Sequence, residues 1–155
     1  MRMPNVVPSL LLSVMFLGAG GVPPIHIPPQ DIYAATELKG GHKGHFFVTA
    51  EINGRSVKAM VDTGASAVAL SYEDAQSIGL RPGDLDFNIP VSTANGVAQA
   101  ASVMLEKVDI DGVRVTDVEG VVLPKGVMHG TLLGMSFLNK LSSFRVEDGV
   151  LYLKN

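Results

Sequence analysis

The chain has 155 residues, of which 17% are charged, and a formal net charge of -3. This balance offers no basic surface for nucleic acid, so nucleic acid is not a predicted partner. The sequence contains no cysteine, which excludes disulfide bonds and thiolate metal sites. With 17 glycines and 6% aromatic residues, it is typical of short strands joined by tight turns in one small domain.

Residues 1–21 have the layout of a secretory signal peptide. A basic residue, Arg2, precedes an apolar stretch from Val6 to Ala19, and small residues end the segment at Gly21. No charged residue occurs between Arg2 and Asp31, so an uncleaved membrane anchor stays open beside a cleaved peptide. Either form predicts an exported protein, in the periplasm or tethered to a membrane and facing outward.

Residues 22–44 are predicted as a linker. They contain glycines at positions 40, 41 and 44, and four prolines that favour extended backbone: Pro23, Pro24, Pro28 and Pro29. His42 and His45 lie close in sequence and could be considered as metal ligands, but neither a cysteine nor a carboxylate cluster accompanies them. We predict solvated loop histidines, with no metal and no cofactor.

Residues 45–155 are predicted to form one β-rich domain. Phe46 to Ile52 alternate as a strand, and Asn53-Gly54 is typical of a two-residue hairpin turn. The return strand is predicted from Ser56 to Val61, so the next residue, Asp62, falls where the strand gives way to a turn.

The segment after this strand, Asp62-Thr63-Gly64-Ala65-Ser66, combines one carboxylate with two short hydroxyls and a glycine. Gly64 permits close approach of two backbones, and the hydroxyls of Thr63 and Ser66 can form hydrogen bonds beside the acid. The same residue types also suit an ordinary surface turn. The motif occurs once in a chain too short for two lobes, so a carboxylate pair requires two copies of the chain.

This motif resembles the active-site signature of the retropepsin-like (clan AA) aspartic proteases, homodimers in which each subunit contributes one aspartate. The resemblance covers about residues 45–155. It implies a mainly β fold: a small, closed, barrel-like half of an acid protease with a hairpin flap and short helices, functional as a symmetric homodimer. It also implies that Thr63 bonds across the dimer and that Ser66 orients the outer carboxylate oxygen of Asp62.

A short strand and a helix are predicted after the motif. Ala67 to Leu70 is apolar, Ser71 is a typical helix N-cap, and the helix is predicted from Tyr72 to Ile78, ending at Gly79. This order of hairpin, acid turn, strand and helix matches the first half of a retropepsin-like subunit.

The next hairpin is predicted from Ile89–Ala94 and Val97–Val103, joined at Asn95-Gly96. Its strands contain few large apolar residues, so the hairpin can stand away from the domain and move. An ordinary exposed ribbon would have the same pattern. By resemblance this hairpin is the flap that closes over a bound peptide, with Asn95 and Gly96 at its tip, although the tip is less glycine-rich than in many retroviral enzymes.

A further hairpin is predicted from Val103–Ile110 and Val113–Leu123, with its turn at Asp111-Gly112. Thr131 to Leu138 is then predicted as an apolar strand that enters a short helix. In retropepsin-like subunits an apolar pair followed by glycine passes close to the acid loop, and Gly134 would occupy that position because its missing side chain permits the crossing.

Met135-Ser136 stands where retroviral members carry a charged pair, so their dimer-bracing arginine contact has no evident counterpart. The run from Met135 to Leu138 instead resembles the bacterial exported branch of the family. A closing hairpin is predicted from Phe144–Val146 and Val150–Leu153. We expect the chain ends, Leu141 to Leu153 and the segment before Phe46, to supply the dimer interface.

Two Asp62 side chains that face each other would share one proton, because like charges at hydrogen-bond distance do not both ionise readily. The ionised member would take a proton from a water held between them, and the protonated member would hydrogen-bond the peptide carbonyl. The sequence therefore predicts an aspartic endopeptidase that acts on polypeptides. The alternative is a non-catalytic peptide-binding module of the same fold, in which Asp62 is only a turn residue.

Overall fold

The computed structural model describes residues 34–41 and 45–155. The predicted signal peptide or anchor, residues 1–21, lies outside the described residues, as do residues 22–33 and 42–44 of the predicted linker. In the part of the chain that is described, none of the helices has the length and hydrophobicity needed to span a bilayer.

Short strands dominate the described chain. The strands are β1 (Ala35–Lys39), β2 (Phe46–Ile52), β3 (Arg55–Val61), β4 (Val68–Leu70), β5 (Ile89–Thr93), β6 (Gly96–Ile110), β7 (Val113–Val122), β8 (Thr131–Leu133), β9 (Ser143–Glu147) and β10 (Val150–Lys154). The helices are α1 (Tyr72–Ser77), a single turn of 3₁₀-helix (Pro82–Asp84) and α2 (Met135–Leu138).

Six strands close into a barrel. Their order is β2-β3-β8-β4-β7-β6, and β6 pairs with β2 to close the ring, while β5 pairs with β6 outside it. The prediction of a mainly β, closed-barrel fold with short helices is confirmed. Buried side chains of the ring strands, the α-helices and β10 form one core, which includes Ile52, Leu70, Leu105 and Phe137.

The first hairpin shows how local sequence builds this barrel. Side chains along β2 alternate strictly between buried and exposed, because successive residues of a strand point to opposite faces. Asn53 and Gly54 have φ angles of 51° and 79°, which is the pair of left-handed conformations that a two-residue turn requires. The predicted strand, turn and return strand are confirmed.

The predicted helix and its cap are also confirmed. The Ser71 hydroxyl accepts a hydrogen bond from the Asp74 backbone N–H at 3.1 Å, so it satisfies a donor at the start of α1 that has no partner within the helix. The carboxylate of Asp74 accepts a hydrogen bond from the buried Thr131 hydroxyl at 2.8 Å. This contact attaches α1 to β8.

The prediction of a linker is wrong for residues 35–39. These residues form β1, which pairs antiparallel with β10 from Ala35 opposite Lys154 to Lys39 opposite Val150. Leu38 packs against the core. The partner strand lies more than a hundred residues later in the sequence, so the local sequence does not reveal the pairing. The prolines and glycines around β1 are instead typical of a linker.

The hairpin of β5 and the start of β6, predicted as the flap and called the flap hairpin below, differs from its prediction in two respects. The predicted strands 97–103 and 103–110 are one continuous strand, β6, which begins in the hairpin and ends in the barrel. Thr93 is paired with Gly96, so Ala94 and Asn95 form the tip, one residue earlier than predicted. Asn95 N–H donates to the Thr93 hydroxyl at 3.2 Å, and that hydroxyl donates to the Gly96 carbonyl at 2.8 Å. These side-chain bonds favour the shifted turn.

Candidate active site

Parallel pairing of β3 with β8 brings two distant segments together. Val61 lies opposite Leu133, and the Asp62 N–H donates to the Leu133 carbonyl at 3.0 Å. Each strand ends at this point, so the residues that follow, Asp62 and Gly134, lie side by side. The loop after β3, residues 62–67, is called the acid loop below.

The acid loop holds its own carboxylate. Asp62 is half-buried, and its Oδ1 accepts a hydrogen bond from the Gly64 N–H at 2.8 Å. The Ala65 N–H donates to the Asp62 carbonyl at 3.3 Å, which closes a tight turn. A carboxylate that accepts a hydrogen bond from a backbone N–H is restricted in orientation, so the loop fixes the position of the acid.

Gly134 lies directly against the backbone of the acid loop. A Cβ atom at this position would lie 2.2 Å from the Ala67 carbonyl oxygen and 2.6 Å from the Ala65 carbonyl oxygen. The start of α2 then donates to the loop: Met135 N–H to the Ala65 carbonyl at 2.8 Å, and Ser136 N–H to the Ser66 carbonyl at 3.0 Å. Only glycine permits this close approach, which agrees with the crossing predicted from the sequence.

The Ser136 side chain is a further support that the sequence reasoning missed. Its hydroxyl accepts from the Val68 N–H at 3.0 Å and donates to the Glu119 carbonyl at 2.6 Å. It therefore fastens the end of the acid loop to β7 and α2 together. A single hydroxyl in the otherwise apolar run from Met135 to Leu138 was the only signal in the sequence.

A cleft of about 670 Å³ lies between the acid loop and the flap hairpin. Among the described residues that line it, Asp62 is the only charged one. Apolar side chains form much of the wall: Ala65, Ala67, Ala69, Val121, Leu123, Val127, Met128 and Leu132 from the barrel side, and Pro90 and Val91 from β5. The site is thus one carboxylate in a cleft with a largely apolar wall.

The predicted site residues divide into two groups. Asp62, Gly64, Ser66 and Asn95 all line the cleft, whereas Thr63, Gly96 and Gly134 do not. Within the described ranges, no group of three or more His, Cys, Asp or Glu side chains is arranged to hold a metal ion.

The hydroxyls of Thr63 and Ser66 have no hydrogen-bond partner among the described residues of one subunit, and both residues are exposed. The roles that the resemblance implies for them therefore stay predictions.

Comparison with known proteins agrees with this geometry. Residues 48–140 match a family model described as "gag-polyprotein putative aspartyl protease". An uncharacterized protein in the cobV 5' region of a Sinorhizobium species is 45% identical over 112 residues, and the uncharacterized protein RP867 of Rickettsia prowazekii is 40% identical over 110 residues. The matches cover 72% and 71% of this chain but 48% and 47% of the relatives, so the chain spans about half their length.

Two solved structures share the fold. A retropepsin-like aspartic protease from Rickettsia conorii superposes with a TM-score of 0.71 at 35% identity, covering 79% of this chain and 91% of that one. The EIAV protease, in complex with the inhibitor HBY-793, superposes with a TM-score of 0.57 at 17% identity, covering 71% of this chain and 100% of that one, and this similarity concerns the fold alone. With its acid loop, crossing glycine and closed barrel, the chain belongs to the retropepsin-like aspartic proteases.

Proposed function

We propose that the protein is an aspartic endopeptidase, active as a homodimer in which each subunit supplies one Asp62. The observation that carries this proposal is the position of the carboxylate. It is held at 2.8 Å by the Gly64 N–H and is, among the described residues, the only charged group that lines the cleft under the β5–β6 hairpin. One subunit supplies one acid, and two are needed to activate a water and to protonate the leaving group.

The chemistry follows from a pair of Asp62 carboxyls that holds one proton. The ionised carboxylate removes a proton from the bound water, which attacks the peptide carbonyl carbon. The protonated carboxyl donates a hydrogen bond to the carbonyl oxygen and then passes its proton to the leaving nitrogen. Neither step requires a covalent intermediate or a metal ion.

The cleft also offers a way to hold an extended peptide. β5 pairs only with β6 in the described chain, and Pro90 to Thr93 line the cleft. An edge strand can hydrogen-bond an extended chain, while apolar residues of the cleft wall, such as Ala69, Val121 and Leu132, contact its side chains. We therefore propose unfolded or extended polypeptide segments with apolar side chains near the scissile bond as substrates.

The test is Asp62→Asn, which removes the charge and keeps the volume. We expect cleavage of a peptide library, read by mass spectrometry, to fall by at least about 1000-fold, because the whole mechanism depends on this group. Asp86→Asn is the matched control, since Asp86 is exposed and does not line the cleft. Cleavage that survives Asp62→Asn would assign the activity to another group. A wild-type protein that binds library peptides without cutting them would be the peptide-binding module.

We also propose that residues 1–21 direct export, either as a cleaved signal peptide or as a membrane tether. The support is the pattern of one basic residue, an apolar stretch and small residues. Mass spectrometry of the mature N-terminus after fractionation of expressing cells tests it. An intact N-terminus in the cytoplasmic fraction would contradict both forms.

A further inference from the structure

Apolar residues on five neighbouring strands of the barrel stand directly opposite one another. The pairs, in order across β2, β3, β8, β4 and β7, are Phe47–Met60, Met60–Leu132, Leu132–Ala69 and Ala69–Val121. Residues that are paired directly point to the same face of a sheet. These five side chains, called the apolar ladder below, therefore form one continuous row across the strands.

The apolar ladder lies on the outer face of the barrel. On β2, β8, β4 and β7, both sequence neighbours of the ladder residue are buried. On β3, Met60 lies between the buried Ala59 and Val61, which packs against the core. Because successive residues of a strand point to opposite faces, the ladder residues point away from the core. A solvated sheet face is ordinarily polar, so a continuous apolar row there indicates a binding surface.

Three members of the apolar ladder already belong to the cleft. Leu132, Ala69 and Val121 line it beneath the flap hairpin, whereas Met60 and Phe47 are not among the residues that line it. Met60 is half-buried, and Phe47 is 66% exposed. The apolar wall of the cleft thus continues past β8 onto β3 and β2, and it ends at an exposed aromatic ring.

Phe47 is the last residue of this row among the described strands. On its far side β2 pairs with β6 only at Glu51 and Ile52, so no described strand continues the row beyond Phe47. The imidazole of His45 contacts the Phe47 ring edge-on, with centroids 6.4 Å apart. Most of the Phe47 ring is left exposed, so a ligand that follows the cleft wall can cover it.

The apolar ladder also passes close to the acid loop. Met60 lies two residues before Asp62 in the chain, so their Cα atoms are about 7 Å apart. Phe47 lies one strand away from Met60, a step of about 4.8 Å, which puts its Cα about 8 Å from that of Asp62. This distance corresponds to about two to three residues of an extended chain. The whole row spans about 19 Å, the length of about six such residues.

We propose that Met60 and Phe47 form a distal subsite of the cleft, which binds a large apolar side chain of the substrate about two to three residues from the scissile bond. This inference rests on the proposed function, because its occupant is the polypeptide that the cleft is proposed to hold. An aromatic or branched aliphatic side chain fits this surface, since it removes the exposed ring of Phe47 from water. Phe47 is therefore a specificity-determining residue outside the cleft itself.

Pairs of peptides with the same scissile bond test this subsite. They differ at the second or third residue from that bond, on either side, where one carries phenylalanine and the other serine. At the responsive position the wild-type kcat/KM should be about tenfold higher for phenylalanine, because the side chain is buried against Phe47. In Phe47→Ala this ratio should fall to about twofold. Met104→Ala is the control and should keep the wild-type ratio, since Met104 is 55% exposed on β6 and lies outside the ladder.

A charge substitution tests for direct contact rather than a structural role. Phe47→Lys puts an ammonium group where the ring stood, on an exposed position of β2. The variant should prefer glutamate over serine at the responsive position by about threefold, the strength of an exposed ion pair. A variant that shows no preference for glutamate would contradict contact between residue 47 and the substrate.

Peptide binding to Asp62→Asn protein separates the subsite from catalysis. Fluorescence anisotropy of labelled peptides gives the Kd ratio of the serine to the phenylalanine peptide, with and without Phe47→Ala. A ratio that depends on Phe47, together with a wild-type protein that cleaves nothing, supports the subsite and refutes the proposed function alone. Cleavage with the same ratio in wild type and Phe47→Ala refutes the subsite alone. If Phe47→Ala instead leaves that ratio unchanged and weakens self-association in sedimentation, Phe47 belongs to a contact between copies and the proposal is overturned.

Discussion

Gly134→Ala tests whether the close crossing under the acid loop is essential. The φ of Gly134 is -91°, which any residue adopts, so the substitution brings no backbone strain of its own. Its effect is steric. The new methyl group would lie 2.2 Å from the Ala67 carbonyl oxygen and 2.6 Å from that of Ala65, and both neighbours are backbone atoms that cannot rotate away.

The magnitude follows from these distances. Ordinary contact begins near 3.4 Å, so the acid loop or the start of α2 must move by roughly 1 Å. Overpacking of this kind costs about 1–3 kcal/mol. Loss of the hydrogen bond from Met135 N–H to the Ala65 carbonyl adds about 1 kcal/mol. We expect a total of about 3 kcal/mol and a fall in Tm of roughly 10 °C. Movement of the carboxylate by about 1 Å should lower kcat about 100-fold.

Thermal unfolding by circular dichroism and cleavage of a fluorogenic peptide measure the two effects. Gly83→Ala is the matched control, since a Cβ there meets only the Tyr72 hydroxyl at 3.8 Å. The control should keep both its Tm and its kcat. A Gly134→Ala protein with wild-type Tm and kcat would refute the reasoning that this crossing positions the acid.

Three further predictions concern the site. Ser136→Ala should lower kcat more than it raises KM, because the hydroxyl positions the acid loop rather than contacting substrate. Ser136→Thr should recover part of the lost kcat. Equal effects of Ser136→Ala on kcat and KM would contradict this role. Gly96→Val, where φ is +109° and no atom lies within 4 Å of an added Cβ, should slow cleavage while Tm falls by only a few degrees. Global unfolding of that variant would place the hairpin in the core. Cleavage should follow a bell-shaped pH profile, since the carboxyl pair is inactive with two protons or none, and a rate that rises steadily across the acid range would exclude a shared proton.

Local structure was predictable wherever neighbouring residues decide it. The alternation from Phe46 to Ile52 specifies a strand with one buried face, and Asn53-Gly54 specifies its turn. Ser71 specifies the start of α1, because its hydroxyl caps a donor three residues ahead. The acid motif after an apolar strand likewise placed Asp62 at a strand end.

The tertiary structure decided which strands meet. Periodicity shows which face of a strand is buried but does not identify its partner, so the pairing of β1 with β10 and the continuous β6 were not predictable locally. The Ser136 hydroxyl acquires its role only because the fold brings both β7 and the acid loop within hydrogen-bond distance of it. The parallel pairing of β3 with β8 brings Asp62 beside Gly134, which lies 72 residues later in the sequence. The Asp62 N–H donates to the carbonyl of Leu133, the residue just before Gly134. Such contacts arise from the closure of the whole barrel, because only the assembled core brings these backbones within reach of each other.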